Sequence, residues 1–123
     1  MYRVPLERFE ELVEQALTEL PEVFAKHLEE VPVQIYDRPT QEQMKFVGPG
    51  HILLGLYRGH PITKRNVEDS GRLPDVIYIF RKNIQQYVNS ELQLIEQVRK
   101  TVLHEIGHHF GMGEEDLKKY GYG

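Results

Sequence analysis

The sequence predicts an α+β fold in which a small mixed β-sheet packs against one long helix, with additional helices completing the domain. Apolar side chains recur at helical spacing near both ends of the chain, and three short segments between them have strand-like patterns. The length of 123 residues suits a single domain over residues 1–123, which would bury about two thirds of its unfolded surface around one core.

Two helices are predicted in the first quarter of the chain. Pro5 suits the first position of a helix, and apolar residues then repeat at helical spacing opposite a face of glutamates. The predicted core-facing residues of this helix are Leu6, Phe9, Val13, Ala16, Leu17 and Leu20. Pro21 interrupts the pattern and opens a shorter helix that carries Val23, Phe24 and Leu28.

Three strands are predicted in the middle of the chain. In residues 31–37, Val33 and Ile35 alternate with polar or aromatic neighbours, which is the period of a half-buried strand. Residues 52–57 are predicted to form a second strand and residues 75–81 a third. The third is apolar on both faces, so we expect it to be buried against the long helix.

Residues 38–50 connect the first two strands and contain two prolines and two glycines without clear periodicity. This composition predicts an exposed loop. A loop of this length is typical of a substrate-facing rim, and simple disorder is equally compatible with it.

A long amphipathic helix is predicted near the C-terminal end. Ser90 has the position of an N-cap, and Gln93 three residues later completes the pattern of a capping box. The predicted apolar stripe consists of Leu92, Ile95, Val98, Val102, Ile106 and Phe110. Gly111 is a typical C′ residue, so it is predicted to end the helix and to let the chain turn back.

His104, Glu105 and His108 form a His-Glu-x-x-His motif late in this helix. Four helical residues advance about 6 Å and turn about 400°, so both imidazoles are expected on one face, within reach of one ion. Zinc binds neutral imidazole at about 2.0 to 2.1 Å, and a catalytic zinc keeps one position for water. Glu105 is predicted to accept a proton from that water as general base. A third ligand is expected soon after the turn at Gly111.

The motif extends to His-Glu-x-x-His-x-x-Gly-x-x-Glu, formed by His104, Glu105, His108, Gly111 and Glu114. This spacing resembles the extended zinc signature of the metzincin branch of the zincins, in which a third histidine normally takes the place of Glu114. The metzincin methionine turn is missing, because only nine residues follow Glu114. The whole chain more closely resembles a family of short bacterial zincin-like metallopeptidases, which usually have an acidic residue there. The matching stretches are residues 52–62, 74–84 and 102–112, and the last is the most specific.

This resemblance implies one zincin-like metallopeptidase domain with one zinc ion per chain. It implies that His104, His108 and Glu114 hold the zinc, that Glu105 is the catalytic base, and that the substrate is a peptide or protein. The alternatives for the third ligand are Glu115, Asp116 and water. Glu114 could instead be an exposed helix acid that pairs with Lys118 four residues later.

Composition limits which side chains can bind a metal and which partners are expected. The chain has no cysteine, so its metal ligands must be imidazoles and carboxylates. A net charge of −4 weighs against broad nucleic-acid binding, and no nucleic-acid partner is expected. The sequence has no basic leader followed by an apolar segment and no run of 18 apolar residues, so we expect a soluble cytoplasmic protein without a membrane partner. The oligomeric state stays open.

Two other functions fit part of the pattern. A bacterial rRNA-processing family of metal-dependent endoribonucleases has three histidines at the same spacing, but it has no glutamate after the first. Glu105 therefore favours peptide hydrolysis. The second alternative is a non-catalytic zinc-bearing interaction domain. The candidates for stabilising an oxyanion are Tyr57, Arg58, His60, Tyr78 and Tyr120.

Overall fold

The computed structural model describes residues 1–47, 50, 52–59 and 75–109, with the main chain alone described at residues 46, 108 and 109. The helices in these ranges are α1 (Leu6–Thr18), α2 (Glu22–Leu28), α3 (Arg81–Tyr87) and α4 (Glu91–His109). The strands are β1 (Val33–Tyr36), β2 (Gly55–Arg58) and β3 (Val76–Phe80), and a 3-10 helix spans Gln43–Phe46. The predicted α+β class is therefore confirmed. None of the described helices is both long and apolar enough to cross a membrane.

The three strands form one mixed sheet in the order β1-β3-β2. The central strand, β3, runs parallel to β1 and antiparallel to β2. Each residue of β3 is buried, because its two edges are covered by strands and its two faces are packed. This position accounts for the continuous apolar pattern of β3 and agrees with the predicted buried third strand.

The larger core lies between one face of the sheet and the helices α1 and α4. Ile77 and Ile79 of β3 point into it, while Val76, Tyr78 and Phe80 alternate to the opposite face. The residues that α1 and α4 bury in this core are Phe9, Leu12, Val13, Ala16, Leu94, Ile95, Val98, Val102, Leu103 and Ile106. Fully burying a large apolar side chain contributes about 1.5 to 3 kcal/mol, so this core holds α4 firmly against the sheet.

The apolar faces of the first two helices differ in part from the predicted ones. In α1, Leu6 is 48% exposed, whereas Leu12 is fully buried. Leu12 lies three residues after Phe9, so it belongs to the same helical face. In α2, Val23 is exposed and Phe24 is buried. The other predicted residues are buried or partly buried, namely Val13, Ala16, Leu17, Leu20 and Leu28.

The boundaries of several elements also differ from the prediction. Helix α1 starts one residue after Pro5, which is its N-cap. Strand β2 starts at Gly55, three residues later than predicted. Helix α3 follows β3 directly and was not predicted, and the 3-10 helix lies inside the predicted loop 38–50. The alternation in β1 is confirmed, because Val33 and Ile35 are partly buried and pack against the core.

Candidate metal centre

The helix that carries the motif, α4, begins with the predicted cap. The hydroxyl oxygen of Ser90 accepts a hydrogen bond from the backbone N–H of Gln93 at 3.1 Å. The Gln93 side chain accepts a bond from the backbone N–H of Asn89 at 2.8 Å, one residue earlier than in a standard capping box. An N-cap of this kind contributes about 1 kcal/mol and defines where the helix starts.

The buried face of α4 differs from the predicted stripe near its start. Leu92 is 80% exposed, whereas Leu94 and Leu103 are fully buried. The predicted residues that are buried are Ile95, Val98, Val102 and Ile106. Helix α4 packs against both α1 and the sheet, so its apolar face is wider than a single stripe. Phe110 and Gly111 lie outside the described residues.

His104 lies on α4 where the helix faces the segment that leads into β2. Its side chain is partly buried, and its Nδ1 atom is buried. The His104 ring also lines the groove beside the helix. A neutral imidazole binds zinc through either ring nitrogen, and the environment of the other nitrogen sets the orientation of the ring.

The second predicted ligand follows one helical turn later. Helix α4 runs past His108, so His104 and His108 lie four residues apart in one continuous helix, as the motif requires. The His108 side chain and the possible third ligands, Glu114, Glu115 and Asp116, lie outside the part of the chain that is described. Within that part, no three histidine, aspartate or glutamate side chains come together as a metal site. The full ligand set therefore stays a prediction.

Glu105 reaches from α4 to the edge strand β2. Its Oε1 atom accepts a hydrogen bond from the backbone N–H of Tyr57 at 2.8 Å. The N–H of Phe80 donates to the carbonyl oxygen of Leu54, so Leu54 and every second residue after it point their backbone groups towards β3. Tyr57 is one of the residues between them, so its backbone N–H and C=O face the outer edge of the sheet. The Glu105 carboxylate therefore takes the place that a neighbouring strand would have here.

Gly55 permits the close approach of β2 to α4. A Cβ atom placed at Gly55 would lie 2.5 Å from Cγ2 of Thr101, 3.0 Å from the backbone oxygen of Tyr78 and 4.0 Å from Cγ of Glu105. Non-bonded carbon atoms normally approach to about 3.5 to 4.0 Å. A side chain at this position would therefore push the strand away from the helix and disturb the hydrogen bond to Glu105.

We expect the substitution Gly55→Ala to lower the free energy of unfolding by about 1 to 3 kcal/mol, because the added methyl group overpacks a buried contact. Thr101→Ser removes Cγ2 and keeps the hydroxyl that accepts a bond from Gln97 at 3.1 Å. Gly55→Ala should therefore destabilise the Thr101→Ser protein less than the wild type. Urea unfolding of the four proteins measures this difference. Equal losses in both backgrounds would show that the contact with Thr101 is not the cause.

Tyr57 also connects β2 to the start of β3. Its hydroxyl donates a hydrogen bond to Oδ2 of Asp75 at 3.0 Å, and Asp75 is only 6% exposed. A buried carboxylate requires hydrogen bonds of this kind. Tyr57 is thus held through its side chain by Asp75 and through its backbone by Glu105. Residue types alone do not reveal this connection, because Asp75 and Glu105 lie 18 and 48 residues away from Tyr57.

The structure separates the candidates for stabilising an oxyanion. The Tyr78 ring lies on the sheet face opposite the core that contains α4, and the Arg58 guanidinium lies 5.7 Å from the centre of that ring. These two side chains are therefore on the far side of the sheet. Tyr57 packs on the same side as α4, although its hydroxyl is bonded to Asp75. His60 and Tyr120 lie outside the described ranges.

His104 and Glu105 line a groove of about 380 Å³ between α4 and the segment that leads into β2. The remaining lining residues are Ile52, Leu53, Leu54, Gly55, Gln97, Lys100 and Thr101. This volume is near the lower end of the range for ligand pockets, about 300 to 1,000 Å³. An imidazole and a carboxylate at one groove are donor types that zinc binds, so the described residues fit the predicted ion.

Comparison with known proteins places this chain in a family. The sequence model of the zincin-like metallopeptidases matches residues 28–122, which is well over half of the chain. No curated protein matches the chain. Among solved structures, a conserved hypothetical protein (TTHA0227) from Thermo thermophilus is similar, with 25% sequence identity, a TM-score of 0.55 and coverage of 94% of this chain and 98% of that one. Because the family match includes β2, β3, α4 and the whole motif, the chain belongs to the zincin-like metallopeptidase family.

Proposed function

We propose that this protein is a zinc-dependent metallopeptidase that hydrolyses peptide bonds in a peptide or protein substrate. The proposal assigns one zinc ion per chain to His104, His108 and Glu114, and the role of general base to Glu105. One observation carries it. The Glu105 carboxylate lies beside His104 at the groove, where the backbone N–H of Tyr57 holds it.

A general base must be fixed within reach of the proton that it accepts. The N–H of Tyr57 uses one acceptor position of Glu105, and an ionised carboxylate has about four such positions. Glu105 can therefore also accept a hydrogen bond, and then a proton, from a water molecule that attacks the scissile carbonyl carbon. The same carboxyl group can pass this proton to the nitrogen of the leaving amine.

The chain's own elements orient the groups that would hold the metal. His104 projects from a helix that is capped at Ser90 and packed against the sheet, so the fold fixes the position of its main chain beside the groove. A zinc ion bound here would lower the pKa of a water molecule and polarise the scissile carbonyl group. Glu105 stays outside the ligand set in this scheme, because its carboxylate is anchored on β2.

The proposed reaction is tested by incubating the purified protein with a mixed peptide library and, separately, with a structured RNA. Each incubation is run with a chelator, without it, and after zinc has been added back. We expect peptide cleavage that the chelator stops and zinc restores, with the RNA left intact, because the metal and Glu105 act together on water.

The other outcomes of this experiment identify the other functions. Metal-dependent cleavage of the RNA, with the peptides left intact, would show that the protein is an endoribonuclease and not a peptidase. Tight zinc binding without cleavage of either substrate would favour a non-catalytic zinc-bearing interaction domain.

A further inference from the structure

A second cavity, which we call the basic pocket, lies at the start of α3. It has a volume of about 210 Å³. Its polar lining residues are Arg3, Arg38, Arg81, Lys82, Gln85 and Gln86. These residues come from the N-terminal segment, from the turn that follows β1 and from α3, so the fold brings three separate parts of the chain together here.

The charge of the basic pocket is opposite to that of the rest of the chain. Four of the chain's 15 basic side chains line it, and one of the 19 acidic side chains, Asp37, binds Arg81 beside it. The pocket with Asp37 therefore carries a formal charge of +3, while the remainder of the chain carries −7. Such a local excess attracts anions, even though the protein as a whole is acidic.

Among the described residues, the carboxylate of Asp37 bonds to or lies near three cations at this pocket. Arg81 donates to Oδ1 of Asp37 through Nε at 3.0 Å and through a terminal nitrogen at 2.8 Å. The Lys82 ammonium lies 3.8 Å from Oδ2 of the same side chain. The hydrogen bond from Arg81, together with the charges of Arg81, Lys82 and Arg38, holds the pKa of Asp37 below its usual value. Asp37 thus orients Arg81 and neutralises only one of these three cations.

Two more hydrogen-bond donors at the basic pocket, the side chains of Arg38 and Gln85, have no acceptor for their N–H groups among the described residues. Arg38 makes no hydrogen bond or close ion pair with them and acts on Asp37 only through its charge. Gln85 is 5% exposed, and its side-chain oxygen accepts the backbone N–H of Val4 at 2.8 Å. That bond identifies the oxygen of the amide, and the amide nitrogen has no acceptor among the residues that the structure describes. The amide nitrogen is therefore available to a ligand in the pocket that Gln85 lines.

We propose that the basic pocket binds a phosphate group, either as inorganic phosphate or as part of a small phosphate ester. Arginine forks and a lysine ammonium are the groups that proteins use for phosphate, and the Gln85 amide adds a neutral donor. The pocket is large enough for a phosphate and a small attached group. This site is separate from the groove at His104 and does not depend on the proposed peptidase activity.

The test is a titration of the ¹⁵N-labelled, zinc-loaded full chain, followed by NMR. Inorganic phosphate is one ligand and phenyl phosphate the other, and sodium chloride keeps the ionic strength constant. We expect saturable shifts of the amide signals of Lys82 and Gln85, with a dissociation constant below about 10 mM. Arg38→Ala and Lys82→Ala should each weaken binding at least about fivefold, because each removes a charged donor. Tighter binding of one ligand identifies the source of the phosphate group.

Lys26→Ala is the matched control, because Lys26 is an exposed base on α2 outside the basic pocket. It removes the same charge and should change the affinity less than about twofold. Thermal unfolding of each variant without ligand verifies that it is folded, and Arg3→Ala replaces any variant that is not. The proposal is wrong if no saturable shift occurs, if Lys26→Ala weakens binding as much as Arg38→Ala does, or if the shifts occur only at the groove around His104.

Discussion

Replacing Glu105 with glutamine is expected to lower kcat/KM for peptide hydrolysis by about 10²- to 10⁴-fold while the zinc content stays at one ion per chain. The amide has nearly the same size and keeps an oxygen that can accept the N–H of Tyr57, so the local structure should persist. It cannot accept a proton, and for this reason the loss should appear in turnover rather than in metal binding. Peptide cleavage rates and zinc analysis of the same preparation measure both quantities.

Glu96→Gln is the matched control for this prediction. Glu96 lies on the same helix and pairs with Arg99 three residues later, and its side chain is 46% exposed. This pair holds the pKa of Glu96 below its usual value through the hydrogen bond and the charge of Arg99. Glu96 does not line the groove, so losing this partly exposed pair should change kcat/KM less than about twofold. Undiminished turnover in Glu105→Gln would show that Glu105 is not the general base.

Replacing His104 with alanine is expected to abolish stoichiometric zinc binding and, with it, the stabilisation that zinc confers. A ligand that binds only the folded state at 100 times its dissociation constant raises the free energy of unfolding by about 2.7 kcal/mol. Zinc at that excess should therefore raise the midpoint of thermal unfolding of the wild-type protein by several degrees and leave that of His104→Ala unchanged. The measurements are metal analysis after dialysis and thermal unfolding with and without zinc.

His27→Ala provides the comparison, because His27 lies on α2 and outside the residues that line the groove. It should bind one zinc ion per chain and show the same zinc-dependent shift as the wild type. If His104→Ala keeps its zinc and its response to zinc, the ion is held elsewhere and the assignment of this site is wrong.

Much of the fold was predictable, because its main signals are local. The continuous apolar run in β3 indicates a strand that is covered on both faces, and the structure places β3 in the centre of the sheet. Ser90 and Gln93 mark the start of α4 by their spacing alone. The error at Leu92 has a tertiary cause, since α1 and the sheet together determine which side of α4 is covered.

Helix α3 was not predictable in the same way. It has seven residues, too few for a helix that is stable alone, and no side chain caps its start. Its stability comes from contacts distant in sequence, because Gln85 accepts the backbone N–H of Tyr2 through its carbonyl and that of Val4 through its side chain. The residue pattern within the segment Arg81–Tyr87 does not indicate these distant contacts.

The sequence shows the motif of the candidate site but not the contacts that support His104 and Glu105. The spacing of His104, Glu105 and His108 is visible in the sequence, because a helix converts spacing into a shared face. The N–H of Tyr57 became part of the site only through the register of β2 against β3. Gly55 likewise acquires its importance from the short distance between β2 and Thr101. Both features depend on the assembled sheet.

The most direct test of the zinc site is anomalous scattering at the zinc absorption edge, from crystals grown without added metal. The proposal predicts one strong peak per chain, bound by the ring nitrogens of His104 and His108 and by a carboxylate oxygen of Glu114, with an open position on the side of Glu105. A peak at other residues, or a His104 ring packed against hydrocarbon with no ion beside it, would contradict the assignment.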